Sequence, residues 1–294
     1  MEKLDFAFSN TLRKDVVEII SDKLSNIGIM YRIFSRNKDK ESLNNKLRKP
    51  KYSEGYKVQD ALGVRVVLYF NDDIPIVHKI LSEVFRERDK DQSIDPKRTN
   101  EFSAIRYNIV YDIPDCILSK EPGYKKETVQ QLIDSTFELQ IRSVLSEGWH
   151  EVEHDLRYKS PGDWDSYNEE SRQLNGIYAT LETSEWTMIK VFEELAYKHY
   201  KNKNWQAMFR NKFRIRMNNH ELDSEINVFL NENIDFAKQL YRVSREDFII
   251  KLAANNFTLT LTLNALIYSC NLLCIKNRNF IKITPEFIKS ELQG

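Results

Sequence analysis

The stretch that decides the fold is a short alternating segment followed at once by a helical pattern: Phe137-Glu138-Leu139-Gln140-Ile141-Arg142, then Ser143-Val144-Leu145-Ser146-Glu147-Gly148-Trp149-His150-Glu151-Val152-Glu153-His154. Apolar and polar residues alternate with a period of two in the first segment, which predicts a half-buried β-strand. The polar face of this strand carries a carboxylate, an amide and a guanidinium, spaced about 7 Å from one to the next. Such a face is either a solvated strand surface or one wall of an active site.

The second segment favours the active-site interpretation. Four apolar residues at helical spacing predict one buried side of a helix: Leu145, Trp149, Val152 and Leu156. The polar residues that remain on or near its other side are His150, Glu151, His154 and Arg157. Strand and helix together are therefore predicted to form the edge of an active site.

Composition limits the class of protein. The chain has 294 residues, enough for one large or two small domains. Lys plus Arg and Asp plus Glu both number 44, so no overall electrostatic field that attracts nucleic acid is expected. The chain has no apolar run of transmembrane length and no signal sequence at its start, which predicts a cytoplasmic protein without a membrane partner.

A basic segment lies upstream of the central strands. Residues 8–34 have the apolar spacing of a helix, and a second, short helix is predicted after residue 40. The donors in this segment are Arg36, Lys38, Ser42 and Lys46. Groups at this spacing either wrap around a polyphosphate or form a solvated basic face.

Residues 60–70 are the strongest predicted strand, because the run is nearly all apolar, as in a strand covered on both faces. Asp60 and Arg65 are its two charged residues, and a buried charge requires a partner or a ligand. An amphipathic helix at 73–88 and a strand at 102–111 follow. The predicted fold is α/β, with a mixed sheet of about five strands flanked by helices.

The rest of the chain is predicted to be helical. Long helices at 167–198 close the α/β domain, which gives a domain over residues 1–200. Residues 201–294 are predicted to form a separate, mainly helical module with helices at 205–217, 222–240, 244–255 and 261–276. We expect this module to regulate, target or assemble the protein.

Four ordered motifs carry a resemblance to a known family: Arg36-x-Lys38-x-x-x-Ser42-x-x-x-Lys46, Asp60-x-x-Gly63-Val64-Arg65, Glu138-x-Gln140-x-Arg142 and Trp149-x-x-x-Glu153-His154-x-x-x-Tyr158-Lys159. In order and spacing they resemble the synthetase domain of the RelA/SpoT family, over about residues 30–160 and on through helices to about 200. The resemblance implies a nucleotidyltransferase-like fold and a small alarmone synthetase of the stringent response. Members of this kind make ppGpp and pppGpp by moving pyrophosphate from ATP to a nucleotide 3′-hydroxyl.

The resemblance also implies a role for each matched residue. The expected ligands of ATP are Arg36, Lys38, Ser42, Lys46 and Arg65. Asp60 and Glu138 would be the catalytic carboxylates that hold Mg²⁺, with Glu138 also accepting the proton of the 3′-hydroxyl. These residue types suit oxygen coordination of a hard cation, cationic clamping of phosphates and general base catalysis.

The acceptor loop departs from the family pattern. The family usually has Gly-Tyr-x-Ser-x-His, whereas this chain has Glu101-Phe102-Ser103-Ala104-Ile105-Arg106. Phe102 retains an aromatic ring that can stack on a base, and the acceptor side would also include Arg106, Gln140 and Arg142. The acceptor therefore stays open between GDP, GTP and the 3′ end of tRNA, the substrate of some toxic members. A non-catalytic nucleotide-binding regulator is a further alternative.

Two more alternatives follow from the sequence. Some toxic members are restrained by a fused C-terminal domain, and residues 201–294 could act in this way; assembly into a homo-oligomer also stays open. Separately, His150-Glu151-Val152-Glu153-His154 matches the short zinc-hydrolase pattern, with both histidines on one helix face. The pattern has no obvious third ligand at the usual spacing, and the RelA/SpoT motif accounts for the same residues.

Overall fold

A computed structural model describes residues 4–88, 93–94, 107–218 and 221–292. Its contacts divide the chain into two compact units. The first comprises Met1–Ser21, Tyr31–Ile74 and Leu81–Glu182, and the second Asp22–Met30, Pro75–Ile80 and Thr183–Gly294. No helix among the described residues is long and apolar enough to cross a membrane.

The first unit is built on a mixed sheet. Within the described residues the sheet has five strands in the order β1-β2-β5-β4-β3, and β2 and β5 are parallel while the other pairs are antiparallel. The strands are β1 (Tyr31–Asn37), β2 (Leu62–Leu68), β3 (Ser93–Ile94), β4 (Tyr107–Asp112) and β5 (Thr136–Ser143). The predicted α/β fold with about five strands flanked by helices is confirmed.

Helices flank this sheet. They are α1 (Asn10–Asn26), α2 (Lys40–Leu47), α3 (Pro50–Ser53), α4 (Ile74–Val84), α5 (Asp115–Leu118), α6 (Glu127–Leu132), α7 (Val144–Glu153) and the start of α8 (Asn168–Lys201). The ends of α1 and α8 and the middle of α4 belong to the second unit.

The alternating segment forms β5 as predicted. Phe137, Leu139 and Ile141 are fully buried, whereas Glu138 and Gln140 on the opposite face are half-buried. The buried face continues into an aromatic cluster, because the ring of Phe137 packs 5.1 Å from that of Phe85 and 5.6 Å from that of Tyr111. Burial of this face fixes the register of the strand, since a slip by one residue would bring the polar side chains into the core.

The predicted helix over 8–34 is too long. Helix α1 ends at Asn26, and residues 31–37 form strand β1 instead. Gly28 adopts a left-handed conformation with φ 73°, its N–H donates to Ser25 O at 3.0 Å, and Ile29 N–H donates to Leu24 O at 3.1 Å. This is a glycine-dependent helix termination that releases the chain into an extended conformation.

The predicted buried side of the next helix is also wrong. In α7 the buried residues are Ser146 and His150, while Val152 and Leu156 are 48% and 63% exposed. Trp149 is half-buried against Tyr178, with ring centroids 4.8 Å apart. A π-helical turn at His154–Tyr158 follows α7, so the α-helical spacing that placed Leu156 on the buried side does not continue there.

The second unit is helical. Besides the end of α8 it contains α9 (Trp205–Phe213), α10 (Ser224–Glu232), α11 (Ile234–Arg242), α12 (Arg245–Ala254), α13 (Leu263–Cys270), a π-helical turn (Asn271–Ile275), α14 (Arg278–Ile283) and α15 (Glu286–Glu291). Its core is aromatic, with Phe209, Phe213, Phe236, Phe248 and Phe280 fully buried. The predicted mainly helical module is therefore present, while a domain boundary near residue 200 stays a prediction.

Candidate active site

An open cavity of about 520 Å³ lies on the polar face of the sheet. Strand register brings two polar rows together there: Arg36, Gly63 and Glu138 are partners across β1, β2 and β5, and Arg65, Gln140 and Asn108 are partners across β2, β5 and β4. The sequence-predicted residues that line the cavity are Arg36, Lys38, Asp60, Arg65, Glu138, Gln140 and Arg142, and from the helix His150, Glu151 and His154. The fold thus brings together residues that are more than a hundred positions apart in the chain.

Asp60 lies just before β2 and anchors two lysines. Its Oδ2 accepts hydrogen bonds from Lys38 Nζ at 2.7 Å and from Lys46 Nζ at 2.6 Å. The other oxygen, Oδ1, is buried and has no hydrogen-bond partner among the described residues. A buried acceptor without a partner is energetically costly, so this oxygen is suited to bind a ligand such as a metal ion.

Burial and ion pairing act in opposite directions on these groups. Burial raises the pKa of Asp60, but the hydrogen bonds from Lys38 and Lys46 and their charges outweigh it, so the pKa lies below its usual range. Burial lowers the pKa of Lys46, and the hydrogen bond to Asp60 more than compensates, so this pKa is raised. Asp60 is therefore a carboxylate, and Lys46 is a cation, at neutral pH.

Asp60 and Glu138 provide the carboxylate oxygens that a Mg²⁺ site requires. Glu138 lines the same cavity, and its Oε1 accepts a hydrogen bond from Gln140 Nε2 at 3.3 Å. Mg²⁺ in nucleotide sites is usually held by one or two carboxylates and completes its shell with water and phosphate oxygens. The buried, unpartnered Oδ1 of Asp60 and the carboxylate of Glu138 fit this donor set.

Arg65 and Arg142 form a second cluster with two glutamates of α7. Arg65 donates from Nε to Gln140 Oε1 at 3.0 Å and from Nη1 to Glu147 Oε1 at 2.6 Å, and Nη1 also donates to Glu151. Arg142 Nη1 donates to the other oxygen of Glu147, Oε2, at 2.9 Å. Burial and the neighbouring charge of Arg65 lower the pKa of Arg142, and Glu147 opposes both.

The remaining predicted residues differ in their surroundings. Ser42 is exposed, and its hydroxyl donates to Asp39 Oδ2 at 2.8 Å, where Asp39 caps α2. Neither Ser42 nor Lys46 is among the described residues that line the cavity. Phe102 and Arg106, predicted for the acceptor side, lie outside the described residues.

Sequence reasoning missed Glu147, which joins the two arginines. Two signals in the sequence point to it: Glu147 and Glu151 are four residues apart, so they share a helix face, and the arginines of β2 and β5 require counter-charges. Asn108, which lines the cavity from β4, was also missed.

The two histidines of the zinc-hydrolase pattern have different surroundings. His150 is buried beside Trp149, with ring centroids 5.3 Å apart, whereas His154 is exposed, stacks on Tyr158 and pairs with Asp155 at 3.0 Å. Within the described part of the chain, no three side chains of His, Cys, Asp or Glu form a group that could hold a metal ion.

Part of the chain matches a known protein family. Residues 35–163 match the sequence model described as the region found in RelA / SpoT proteins. The matched range contains every residue that the motifs predicted for the site. No curated protein sequence matches the chain.

Several solved structures are similar to the chain at low identity. Small alarmone synthetase 1 from Bacillus subtilis, bound to its product pppGpp, is 23% identical over 63% of this chain and 95% of that chain, with a TM-score of 0.46. A GTP pyrophosphokinase family protein from Streptococcus pneumoniae is 21% identical over 62% of this chain and 89% of its own, with a TM-score of 0.41. Small alarmone synthetase 2 from Bacillus subtilis is 20% identical over 62% and 95%, also with a TM-score of 0.41.

Proposed function

We propose that this chain, which belongs to the RelA/SpoT family through residues 35–163, is a pyrophosphokinase that moves pyrophosphate from ATP to the 3′-hydroxyl of GDP or GTP. The observation that carries the proposal is the pairing of two carboxylates, Asp60 and Glu138, with the cations Lys38, Arg36 and Arg65 around one cavity. Pyrophosphoryl transfer to a hydroxyl requires a metal ion and cations next to the phosphates, and these residues would supply the metal ligands and the cations.

The donor half of the site would lie around Asp60. Lys38 and Arg36 line the cavity and would clamp the phosphates of ATP, together with Arg65. Lys46 would act mainly by fixing Asp60, since it bonds that carboxylate and lies outside the cavity lining. Ser42 would reach ATP only by giving up its hydrogen bond to Asp39.

The reacting group on the protein would be Glu138. Its carboxylate accepts the proton of the 3′-hydroxyl while the hydroxyl oxygen forms a bond to the β-phosphorus of ATP. The bond between that phosphorus and the oxygen bridging to the α-phosphate breaks, and AMP leaves. Bound Mg²⁺, held by Asp60 and Glu138, would neutralise charge on the phosphate oxygens.

The acceptor half of the site would lie toward α7. Gln140 holds its place through hydrogen bonds to both Glu138 and Arg65, so it is fixed next to the proposed base. Arg142 would complete the acceptor side together with Phe102 and Arg106, which align with the acceptor motif of the family. The aromatic ring of Phe102 would stack on the base of the acceptor.

Transfer of label from γ-labelled ATP tests this function. The full chain is incubated with GDP, GTP or deacylated tRNA in separate reactions, with Mg²⁺ or with excess chelator. We expect label on GDP or GTP, an equal amount of AMP and no transfer after chelation. Label on tRNA alone would replace the proposed acceptor by the 3′ end of tRNA, and ATP binding without transfer would indicate a nucleotide-binding regulator.

Metal analysis separates this proposal from a zinc hydrolase. We expect the purified protein to lack stoichiometric zinc and the activity to depend on added Mg²⁺. Stoichiometric zinc that disappears when His150 and His154 are both replaced by Ala would overturn the Mg²⁺ assignment.

A further inference from the structure

Glu147 bridges two arginines that lie on neighbouring parallel strands. Its Oε1 lies 2.6 Å from Arg65 Nη1 and its Oε2 lies 2.9 Å from Arg142 Nη1, so each carboxylate oxygen holds one guanidinium. All three side chains are largely buried, with exposed fractions of 14% for Glu147, 25% for Arg65 and 15% for Arg142. The bridge joins β2, β5 and α7 next to the cavity.

We propose that Glu147 is a positioning residue, which holds Arg65 and Arg142 in fixed places so that their guanidiniums bind the phosphate groups of a nucleotide. The inference deepens the proposed function and rests on it. Glu147 acts through the two arginines and has no direct contact with the reacting atoms.

The need for such a bridge follows from the charges. Arg142 is two positions beyond Gln140, the partner of Arg65, so the two guanidiniums share one face of the sheet. Two cations held this close repel each other, and Arg65 is one cause of the lowered pKa of Arg142. A carboxylate between them offsets the repulsion and also fixes two long side chains that lose rotamer entropy when they are ordered.

Glu151 differs from Glu147 although it contacts the same arginine. Its side chain is 52% exposed, so its ion pair with Arg65 contributes little and exchanges readily. A phosphate oxygen can therefore replace Glu151 without displacing Glu147. After that exchange Arg65, Arg142 and Glu147 carry a net charge of +1, which attracts phosphate while the geometry is retained.

This division of roles predicts a specific kinetic signature. Glu147→Gln keeps the shape of the side chain but removes its charge, so the arginines lose their fixed positions. We expect kcat to fall about tenfold or more, because misplacement by a fraction of an ångström is costly in the reacting complex. The KM for ATP should stay within about twofold of its original value or fall, since a negative charge near the phosphates is removed.

Asp134→Asn provides a matched control away from the cavity. Asp134 also has a side chain that is 14% exposed and an ion pair with an arginine, Arg88, at 2.7 Å. This variant measures what loss of a buried carboxylate–arginine pair does to stability alone. We expect it to lower the urea midpoint while kcat per folded molecule is unchanged.

A second readout does not depend on activity. Arg65 Nε–H donates a hydrogen bond to Gln140 Oε1 at 3.0 Å, so this proton should exchange slowly with water, which NMR can measure. Glu147→Gln should accelerate this exchange and Asp134→Asn should not. If Glu147→Gln does not fold, Glu147→Asp, which retains the charge on a shorter side chain, should show a smaller loss of kcat and a smaller acceleration.

The outcomes separate this inference from the function on which it rests. Loss of kcat without a rise in KM, together with faster Arg65 Nε–H exchange, supports it; unchanged kcat or unchanged exchange overturns it. If the unaltered protein transfers no label, the proposed function fails, and inorganic triphosphate becomes the probe. Triphosphate that shifts the Arg65 and Arg142 signals in both proteins, but slows Arg65 Nε–H exchange only in the unaltered protein, then supports the positioning role, and absence of shifts in the unaltered protein overturns it.

Discussion

Lys46 Nζ and Asp60 Oδ2 lie 2.6 Å apart, and Lys38 donates to the same oxygen at 2.7 Å. Both lysines therefore use one oxygen of this carboxylate and leave Oδ1 buried without a partner among the described residues. The two oxygens of Asp60 differ in their surroundings, and this difference allows one carboxylate to fix two cations and still offer a lone pair to a metal ion.

The two lysines should differ in their effect on ATP binding. Lys38 lines the cavity, so Lys38→Ala should weaken ATP affinity about tenfold, the loss of one charge-assisted hydrogen bond. Lys46→Ala should weaken it less, through a less firmly held Asp60. Lys40→Ala is the control, because Lys40 is exposed and pairs with Asp5 at the surface. Calorimetric titration with a non-hydrolysable ATP analogue measures all three, and unchanged affinity in both test variants would refute the phosphate site.

Glu138→Gln should abolish turnover and leave the fold intact. The substitution removes the proposed base and metal ligand with little change of shape, so kcat should fall about 10²- to 10⁴-fold. The urea midpoint should change little. Glu138 accepts a hydrogen bond from Gln140 Nε2 at 3.3 Å, and the amide oxygen of a glutamine at position 138 can accept the same bond. Glu127→Gln serves as the control, because Glu127 is an exposed residue of α6. A Glu138→Gln protein with normal turnover would remove Glu138 from the mechanism.

Asp60 should make stability depend on pH. Its pKa in the folded protein is lowered relative to the usual value of 3.8, so it contributes stability that is present above the unfolded pKa and lost as the pH falls through the folded pKa. Asp60→Asn should lower the free energy of unfolding by about 2 kcal/mol at pH 7, since two cations lose their counter-charge. The difference should begin to shrink below about pH 4, where Asp60 of the unfolded chain becomes protonated, and it should vanish only as the pH falls through the lower pKa of the folded protein. Urea unfolding at pH 7, 5, 4 and 3 measures this, and a constant difference would contradict the assignment.

The sequence predicts the centre of the fold well because local pattern and burial agree there. The apolar run of β2 and the alternation of β5 each specify a strand, and both are buried as expected. The four motifs also predict residues that line one cavity, because Arg65, Glu138 and Gln140 lie on adjacent strands and Asp60 lies just before β2.

The two errors in the predicted secondary structure have different causes. Residues 31–37 alternate as a strand does, with Ile33 half-buried and Phe34 54% exposed. The helix before them has an apolar spacing that continues past Gly28, and for this reason the predicted helix was too long. The polar face of α7 was misassigned because Glu147 faces the arginines of the sheet. The spacing of apolar residues along the helix does not show which polar residue will face these arginines. The face of α7 depends on partners that are distant in the chain, so a local pattern cannot specify it. The end of α1 is signalled locally by Gly28, which the apolar spacing over residues 8–34 does not take into account.

The turn after α1 gives a test that compares two glycines. Gly28 has φ 73°, and a Cβ at this position would lie 2.6 Å from Arg216 O and 2.9 Å from Leu261 Cδ1. Gly28→Ala should therefore lower the free energy of unfolding by about 1–3 kcal/mol, since the left-handed conformation and the contact with a backbone oxygen both become strained. Gly176, inside α8, has no neighbouring atom within 4 Å of its added Cβ among the described residues.

Gly176→Ala should have the opposite sign, because Ala is favoured over Gly inside a helix by about 1 kcal/mol. Urea unfolding of the full chain, followed by far-UV circular dichroism, measures both variants under the same conditions. The predicted order of midpoints is Gly176→Ala, then the unaltered protein, then Gly28→Ala. A Gly28→Ala protein as stable as the unaltered chain would mean that this turn tolerates a side chain and that the extended course of β1 does not depend on glycine. Since β1 carries Arg36 to the cavity, the same variant should also weaken ATP binding if the turn sets the position of that strand.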